Sequence, residues 1–305
     1  MAVLRDGADQ TDTATVHPGR LARGLRRAAL ERGIEIAENS QVVAIERTRP
    51  VRVRTPRASV TAEQVVLATG PWSARIRELR RAIVPFASHL VASAPAPDRL
   101  AELGWTDGAT IGDLAELVHY AQVTVDGRIA FGRGGGAIGR AGRVYDRHFA
   151  DARWAGIVEA DFRQWFPGIA DVPITHRWGG PVDLSPGYFP FAGSLGDHGN
   201  IHYGAGYSGD GVAESTLIAS ILAARVLGIE TDDSRCALAN GPRAYLPPEP
   251  FRSLGGRVVR EGVLRAEARE SRGRDPHPVD AALRRLSRFR TPRRLEPRLR
   301  SRAAR

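Results

Sequence analysis

Between a run of strand-forming residues and a long apolar helix pattern lies Ile201-His202-Tyr203-Gly204-Ala205-Gly206-Tyr207-Ser208-Gly209-Asp210-Gly211-Val212, with four glycines in eight residues from Gly204 to Gly211. No other stretch constrains the fold as strongly. Glycine has no Cβ and accepts positive φ, so the backbone here can approach another group closely. The helix that follows, through Glu214, Leu217, Ile221 and Leu222 to about Leu227, aims its free N–H groups and the positive end of its dipole into the same space. Strand, glycine turn and helix start together form a seat for a negatively charged or polarisable group.

The rest of the chain reads as α/β at the front and mostly antiparallel strands in the middle. Residues 1–14 are expected to be a disordered start. Pro18 suits a first helical position, and Leu21, Leu25, Ala28 and Ala29 recur at helical spacing until Gly33. Ile34-Glu35-Ile36, Val42-Val43-Ala44-Ile45 and Val51-Arg52-Val53-Arg54 read as strands. Val65-Val66-Leu67-Ala68 is the continuous apolar run of a buried parallel strand, and it leads through the turn Thr69-Gly70-Pro71-Trp72-Ser73 into a predicted helix past Ile76 and Leu79. Strands are predicted from Ile83 to Val91, Glu116 to Val125 and Arg128 to Phe131, with Asp126-Gly127 as a hairpin turn. A helix is predicted over 146–166, then strands around 174–178 and 189–192. Pro247-Pro248-Glu249-Pro250 is a stiff connector before a helix over about 251–268.

Composition sets outer limits. A 42% hydrophobic content over 305 residues provides for a sizeable core, and the single cysteine, Cys236, excludes a disulfide framework and a cysteine metal cluster. The scattered histidines lack the carboxylate spacing of a metal site, so no metal is expected. No run of about 18 apolar residues is present and the first residues lack a signal-peptide core, so a cytoplasmic protein without a membrane span is expected. The net charge of +10 concentrates toward the end, at Arg293, Arg294, Arg298, Arg300, Arg302 and Arg305. No aromatic residues interleave these final arginines as a base-stacking platform needs, so a solvated Arg-rich tail over 271–305, partly disordered, is expected rather than a nucleic-acid partner.

Two segments match the dinucleotide pattern G-x-G-x-x-G. The first, Gly134-Gly135-Gly136-Ala137-Ile138-Gly139, is followed by Arg140-Ala141-Gly142-Arg143, a poor helix start, and reads as a flexible loop. The second, Gly204 to Gly209, has both strand and helix, but after the helix comes Glu230-Thr231-Asp232-Asp233-Ser234 and no further strand, so no βαβ unit is completed.

Six segments in order carry a resemblance: His17-Pro18-Gly19-Arg20-Leu21; Gly33-Ile34-Glu35-Ile36 with Val42; Val66-Leu67-Ala68-Thr69-Gly70-Pro71-Trp72-Ser73; Asp126-Gly127-Arg128-Ile129 with Phe131-Gly132; Trp178-Gly179-Gly180-Pro181 with Pro190; and Gly206-Tyr207-Ser208-Gly209-Asp210-Gly211-Val212. Over about 16–268 the chain resembles the FAD-dependent amine and amino-acid oxidoreductases of the D-amino-acid oxidase superfamily, the group of glycine oxidase, sarcosine oxidase and gamma-glutamylputrescine oxidase. The resemblance implies an α/β (α+β) fold with a partial FAD-binding Rossmann-like domain at 15–82 and 176–250. It also implies an antiparallel substrate domain at 83–175 and a C-terminal helix at 251–270. The family's first βαβ unit should lie upstream of Val16, and this sequence has none there. The chain is therefore expected to be N-terminally truncated, with a complementing N-terminal chain as a partner. The alternative is a catalytically inactive remnant or partner subunit of a split flavoprotein.

The resemblance further implies non-covalent FAD, since Cys236 lies in a connector, and oxidation of the C–N bond of a small amine or amino acid to an imine. Val42 would meet the adenine. Ala68, Thr69, Gly70 and Trp72 would lie near the diphosphate and ribose. Gly180, Gly206, Tyr207, Ser208, Gly209, Asp210, Gly211 and Val212 would lie beside the flavin ring. Family members often carry histidine where this chain has Asp210, and an acid there disfavours an anionic reduced flavin unless it turns away to cap the helix. His119 and Tyr120 are catalytic candidates on opposite faces of one strand, and both are equally ordinary strand residues. Tyr207 covers the flavin or the substrate, or packs in the core. Arg133 binds a substrate carboxylate or is a solvated loop arginine. His89 and His202 read as structural, and His17 as setting the helix start.

Overall fold

The computed structural model describes residues 15–113 and 115–287. Helix α1 (Pro18–Glu31) starts where Pro18 predicts, and His17 Nδ1 accepts the Arg20 N–H at 3.4 Å. It buries no residue, and Leu21, Leu25 and Leu30 stand exposed. The strand predicted at Ile34-Glu35-Ile36 does not form; both isoleucines are exposed, with no neighbouring strand among the described residues to pair with. Strands β1 (Ala44–Glu46), β2 (Val51–Arg54) and β3 (Ser59–Ala62) make an antiparallel sheet in that order.

Strand β4 (Val65–Leu67) leads into a 3-10 turn, Gly70–Arg75, where an α-helix was predicted. Gly70 has φ +47 and Pro71 follows it, so the backbone enters the turn left-handed, and Ile76 is already extended (ψ 129). The middle of the chain forms one antiparallel sheet. Its strands are β5 (Val84–Ser93), β6 (Ile111–Gly112), β7 (His119–Val123), β8 (Ile129–Ile138) and β9 (Ile174–Leu184), in the order β6-β7-β8-β5-β9. Helix α2 (Pro97–Glu102) lies between β5 and β6. The expected hairpin at Asp126-Gly127 forms with Gly127 at φ +75.

The predicted loop at Gly134 to Gly139 is instead mostly strand, since β8 runs to Ile138. Its glycines lie beneath large side chains. A Cβ on Gly136 would come 2.6 Å from His89 Nδ1, and one on Gly135 would come 2.9 Å from Trp154 Cη2. They permit close packing in a strand. Helix α3 (Ala152–Trp165) covers that face and begins later than predicted, because Asp151 caps it by accepting the Trp154 N–H at 3.1 Å. Phe131, Val158, Phe162, Phe166 and Ile169 form the core between sheet and helix. Each large apolar side chain buried this way contributes roughly 1.5–3 kcal/mol.

Strands β10 (Phe191–Leu195) and β11 (Ile201–Ala205) are antiparallel to each other, and β11 runs parallel to β4, giving the order β10-β11-β4. Helix α4 (Gly211–Leu227) packs on this sheet through Ile218, Ile221 and Leu222 and ends on Gly228 in the left-handed region, φ 65. After α5 (Asp232–Arg235), a hairpin of α6 (Phe251–Glu270) and α7 (Pro278–Ser287) follows. α7 falls in the segment expected to be a tail; Arg265 on α6 anchors it by donating to Asp280 Oδ1 at 2.7 Å. The expected disorder at 1–14 and the arginines past 287 lie outside the described residues.

Candidate functional site

The parallel pairing sets the geometry. Leu67 of β4 lies opposite Tyr203 of β11, so the turn after β4 and the glycine turn after β11 emerge at the same edge of the sheet. In open α/β sheets that carboxyl edge is where ligands sit. The first turn lines an open cavity of about 410 Å³ with Ala68, Thr69, Gly70, Pro71 and Trp72. Thr69 and Ser73 share a hydroxyl hydrogen bond of 2.7 Å that holds the turn, while Trp72 is 50% exposed.

The second turn is built on backbone that only glycine adopts easily. Gly206 has φ +88 and Gly209 φ +118, with Ser208 at φ 55 between them. The buried Asp183, near the end of β9, pins the turn: its Oδ2 accepts the Gly206 N–H at 2.6 Å. Ser208 N–H donates to the Asp183 carbonyl at 3.3 Å, and the Ser185 N–H donates to Ser208 Oγ at 3.1 Å. β9 thus reaches from the five-stranded sheet into the glycine turn, and both it and β11 pack against the Gly70–Arg75 turn.

Asp210 occupies the N-cap position of α4, yet its side chain makes no capping hydrogen bond. The expected compensation, an aspartate turned aside to cap the helix, is absent. Instead the start of α4 is acidic. Burial, together with the charges of Asp210 and Asp183, pushes the Glu214 carboxyl up to about 7. Burial, with Asp183 and Glu214 nearby, pushes the Tyr207 phenol up to about 12. Burial also raises Asp183, against the opposing pull of the Gly206 N–H. A carboxyl raised in the native state costs stability as pH climbs from its ordinary value of 4.5 through about 7. Glu214→Gln is therefore expected to raise the melting temperature by at least about 2 °C at pH near 8 and to leave it unchanged near pH 4. Thermal unfolding followed by circular dichroism at the two pH values checks this.

The other sequence candidates divide between two faces of the five-stranded sheet. Tyr120 lies over Gly132, where a Cβ would come 2.3 Å from its Cζ, and shares a 2.8 Å hydrogen bond with Ser88 Oγ. Ser88 pairs with Gly180, and no atom lies within 4 Å of where a Gly180 Cβ would be. Tyr120, Ser88 and Gly180 thus share one face, with space over Gly180. His119 and Arg133 lie on the opposite face under α3 and α6. Arg133, 8% exposed, donates to Asp161 Oδ2 at 2.7 Å and to Glu267 Oε2 at 2.9 Å. His119 meets Asp113 at 2.6 Å and Asp161 at 3.4 Å. Tyr207 packs against the α4 cluster, Val212 is exposed, and Val42 is 48% exposed just before β1. Asp183 and Glu214 are the site residues that the sequence reading did not single out. The signal for Asp183 was its place between Trp178 and Pro190, within a segment already marked.

Two turns at the carboxyl edge of a parallel strand pair, one of them a glycine cradle opening a helix and both beside an antiparallel sheet, make the kind of ligand seat that α/β sheets place at that edge. The chain belongs to the family described as FAD dependent oxidoreductase, whose profile matches residues 4–225. It is similar to a probable oxidoreductase OrdL of Haemophilus influenzae, 26% identical over 261 residues, covering 84% of this chain and 55% of that protein. It is also similar to gamma-glutamylputrescine oxidoreductase of Escherichia coli K12, 30% identical over 248 residues, covering 80% of this chain and 53% of that protein. The crystal structure of glycine oxidase from Geobacillus kaustophilus superposes with a TM-score of 0.57 at 21% identity, covering 70% of this chain and 54% of that one. The chain spans about half the length of the curated relatives it matches.

Proposed function

We propose that this chain forms the flavin-ring and substrate side of an oxidoreductase that oxidises the C–N bond of an amine or amino acid to an imine. The convergence of the Ala68–Trp72 turn and the Gly206–Gly211 turn at one sheet edge carries this reading. The name of the Escherichia coli relative supports an amine substrate.

The residues present fit the ring end of FAD. Gly209 has open space where a Cβ would be, Gly206 and Gly209 hold left-handed backbone, and the first turn of α4 has no side-chain cap. When bound, FAD supplies the hydride acceptor for the carbon next to the amine nitrogen. In this reading Gly206, Tyr207, Ser208, Gly209, Asp210, Gly211 and Val212 line the ring, where the positive end of α4 favours negative charge and the Asp210 side chain, which does not cap the helix, opposes it. Ala68, Thr69, Gly70 and Trp72 line the ribose and diphosphate side, with Val42 toward the adenine. Tyr120 and the space over Gly180 form the substrate wall. Arg133 and His119, each already held by two carboxylates, position the sheet from behind.

A second reading, a partner subunit completed by an N-terminal chain, is favoured by the edge of β4, which has no strand beside it among the described residues, and by α1, which buries none of its own residues. An edge strand with an unpaired ladder is a template for another strand. Adding FAD to the purified chain separates the two. Retention through gel filtration, with quenched flavin fluorescence and a visible flavin spectrum, supports an oxidoreductase. A chain that stays colourless sinks that activity for the chain alone and leaves the partner-subunit reading.

A further inference from the structure

Behind the sheet, five charged side chains from five different segments form one continuous chain. Asp113 precedes β7, His119 is on β7, Asp161 on α3, Arg133 on β8 and Glu267 on α6. The links are His119 Nδ1 to Asp113 Oδ2 at 2.6 Å, His119 Nε2 to Asp161 Oδ2 at 3.4 Å, Arg133 to Asp161 at 2.7 Å and Arg133 to Glu267 at 2.9 Å. Glu267 Oε1 also accepts the Leu117 N–H at 3.1 Å. Arg284 of α7 reaches Glu116 in the same loop at 2.5 Å and Glu270 of α6 at 2.6 Å. Arg260 of α6 donates to the Gly136 carbonyl at 2.6 Å. α6 and α7 lie beyond the family match, which ends at residue 225. The 115–118 segment carries Glu116, whose charge is felt by the Tyr188 phenol, and Tyr188 stands in the loop that Ser185 ties to the glycine turn.

We propose that this chain of charges is a proton-operated latch, in which protonated His119 holds the α6–α7 hairpin and the 115–118 segment against the sheet and its deprotonation loosens them. With the imidazolium in place, two cations lie among three half-buried carboxylates. When the ring gives its proton to solvent, Arg133 alone remains among Asp113, Asp161 and Glu267. Asp161, which touches both His119 and Arg133, then competes with Glu267 for the guanidinium, and the Arg133–Glu267 tie of α6 weakens. Burial and the nearby charge of Arg133 oppose charge on His119, but the carboxylates on both ring nitrogens outweigh them and set its pKa above the ordinary imidazole value. A raised histidine contributes stability that is complete below about 6.5 and is lost as pH rises through the folded value. The latch is therefore closed in mild acid and opens toward alkaline pH. It is independent of whether flavin binds.

Hydrogen exchange of the full chain at about pH 6 and about pH 9, corrected for intrinsic rates, tests it. Protection of 251–287 and 115–118 is expected to fall at least tenfold between the two, with 152–165 unchanged. Trp165, whose ring lies 5.1 Å from that of His119, should change fluorescence over the same pH interval. His119→Gln should abolish both transitions. Overturning results are equal protection of α6 at both pH values, loss of protection spread evenly over the chain, or a transition that survives His119→Gln. Where that variant does not fold, the wild-type exchange series decides alone.

Discussion

Gly206→Val is expected to lower stability by about 3 kcal/mol and to abolish flavin uptake. Three costs act at one position. Gly206 has φ +88, where a β-branched residue is strained by about 1 kcal/mol or more. A Cβ there would come 2.7 Å from Phe191 Cε1 and 3.0 Å from Ser185 Cβ, and overpacking of this kind costs roughly 1–3 kcal/mol. Any backbone shift that relieves the clash lengthens the 2.6 Å bond to the buried Asp183 carboxylate. Urea unfolding should show a lower midpoint with an unchanged slope. Gly209→Ala is the control: with φ +118 but open space around it, it should cost only about 1 kcal/mol. Equal effects of the two substitutions would show that contact with Phe191 and Asp183 does not hold the turn.

Arg133→Ala is expected to destabilise the fold by about 3–5 kcal/mol, because it leaves Asp161 and Glu267 without their shared cation. A surface arginine reserved for a substrate carboxylate would behave oppositely, with unchanged unfolding and weakened substrate binding. Glu267→Gln should cost less, and the double variant should cost less than the sum, since removing one partner already breaks the pair. Chemical denaturation of the three variants checks the coupling. Additive losses would show that Arg133 and Glu267 act independently.

Much of this arrangement was legible in the sequence where a local rule and the tertiary fold agree. The glycine turn, the start of α1 at Pro18, the Asp126-Gly127 hairpin and the α4 pattern each follow from φ preference or periodicity. The misreadings have a common cause. Gly134 to Gly139 looks flexible by composition, yet His89 and Trp154, distant in sequence, fill the space its missing side chains leave. Ile34-Glu35-Ile36 alternates like a strand but has no neighbour among the described residues to pair with. Strand formation is settled by partners, and partners are not encoded locally. The sorting of His119 and Tyr120 to opposite faces was legible from the pleat, but which face holds the carboxylates depends on α3 and α6. Asp183 and Glu214 became visible as site residues only when β9 and α4 were brought to the same turn.

β9 belongs to the five-stranded sheet along most of its length, and its final residues clamp the glycine turn of the other sheet. A single strand shared in this way couples the two sheets mechanically through Asp183. A slip of β9 along β5 would carry Asp183 away from the Gly206 N–H, so the register of the five-stranded sheet also sets the position of the glycine turn.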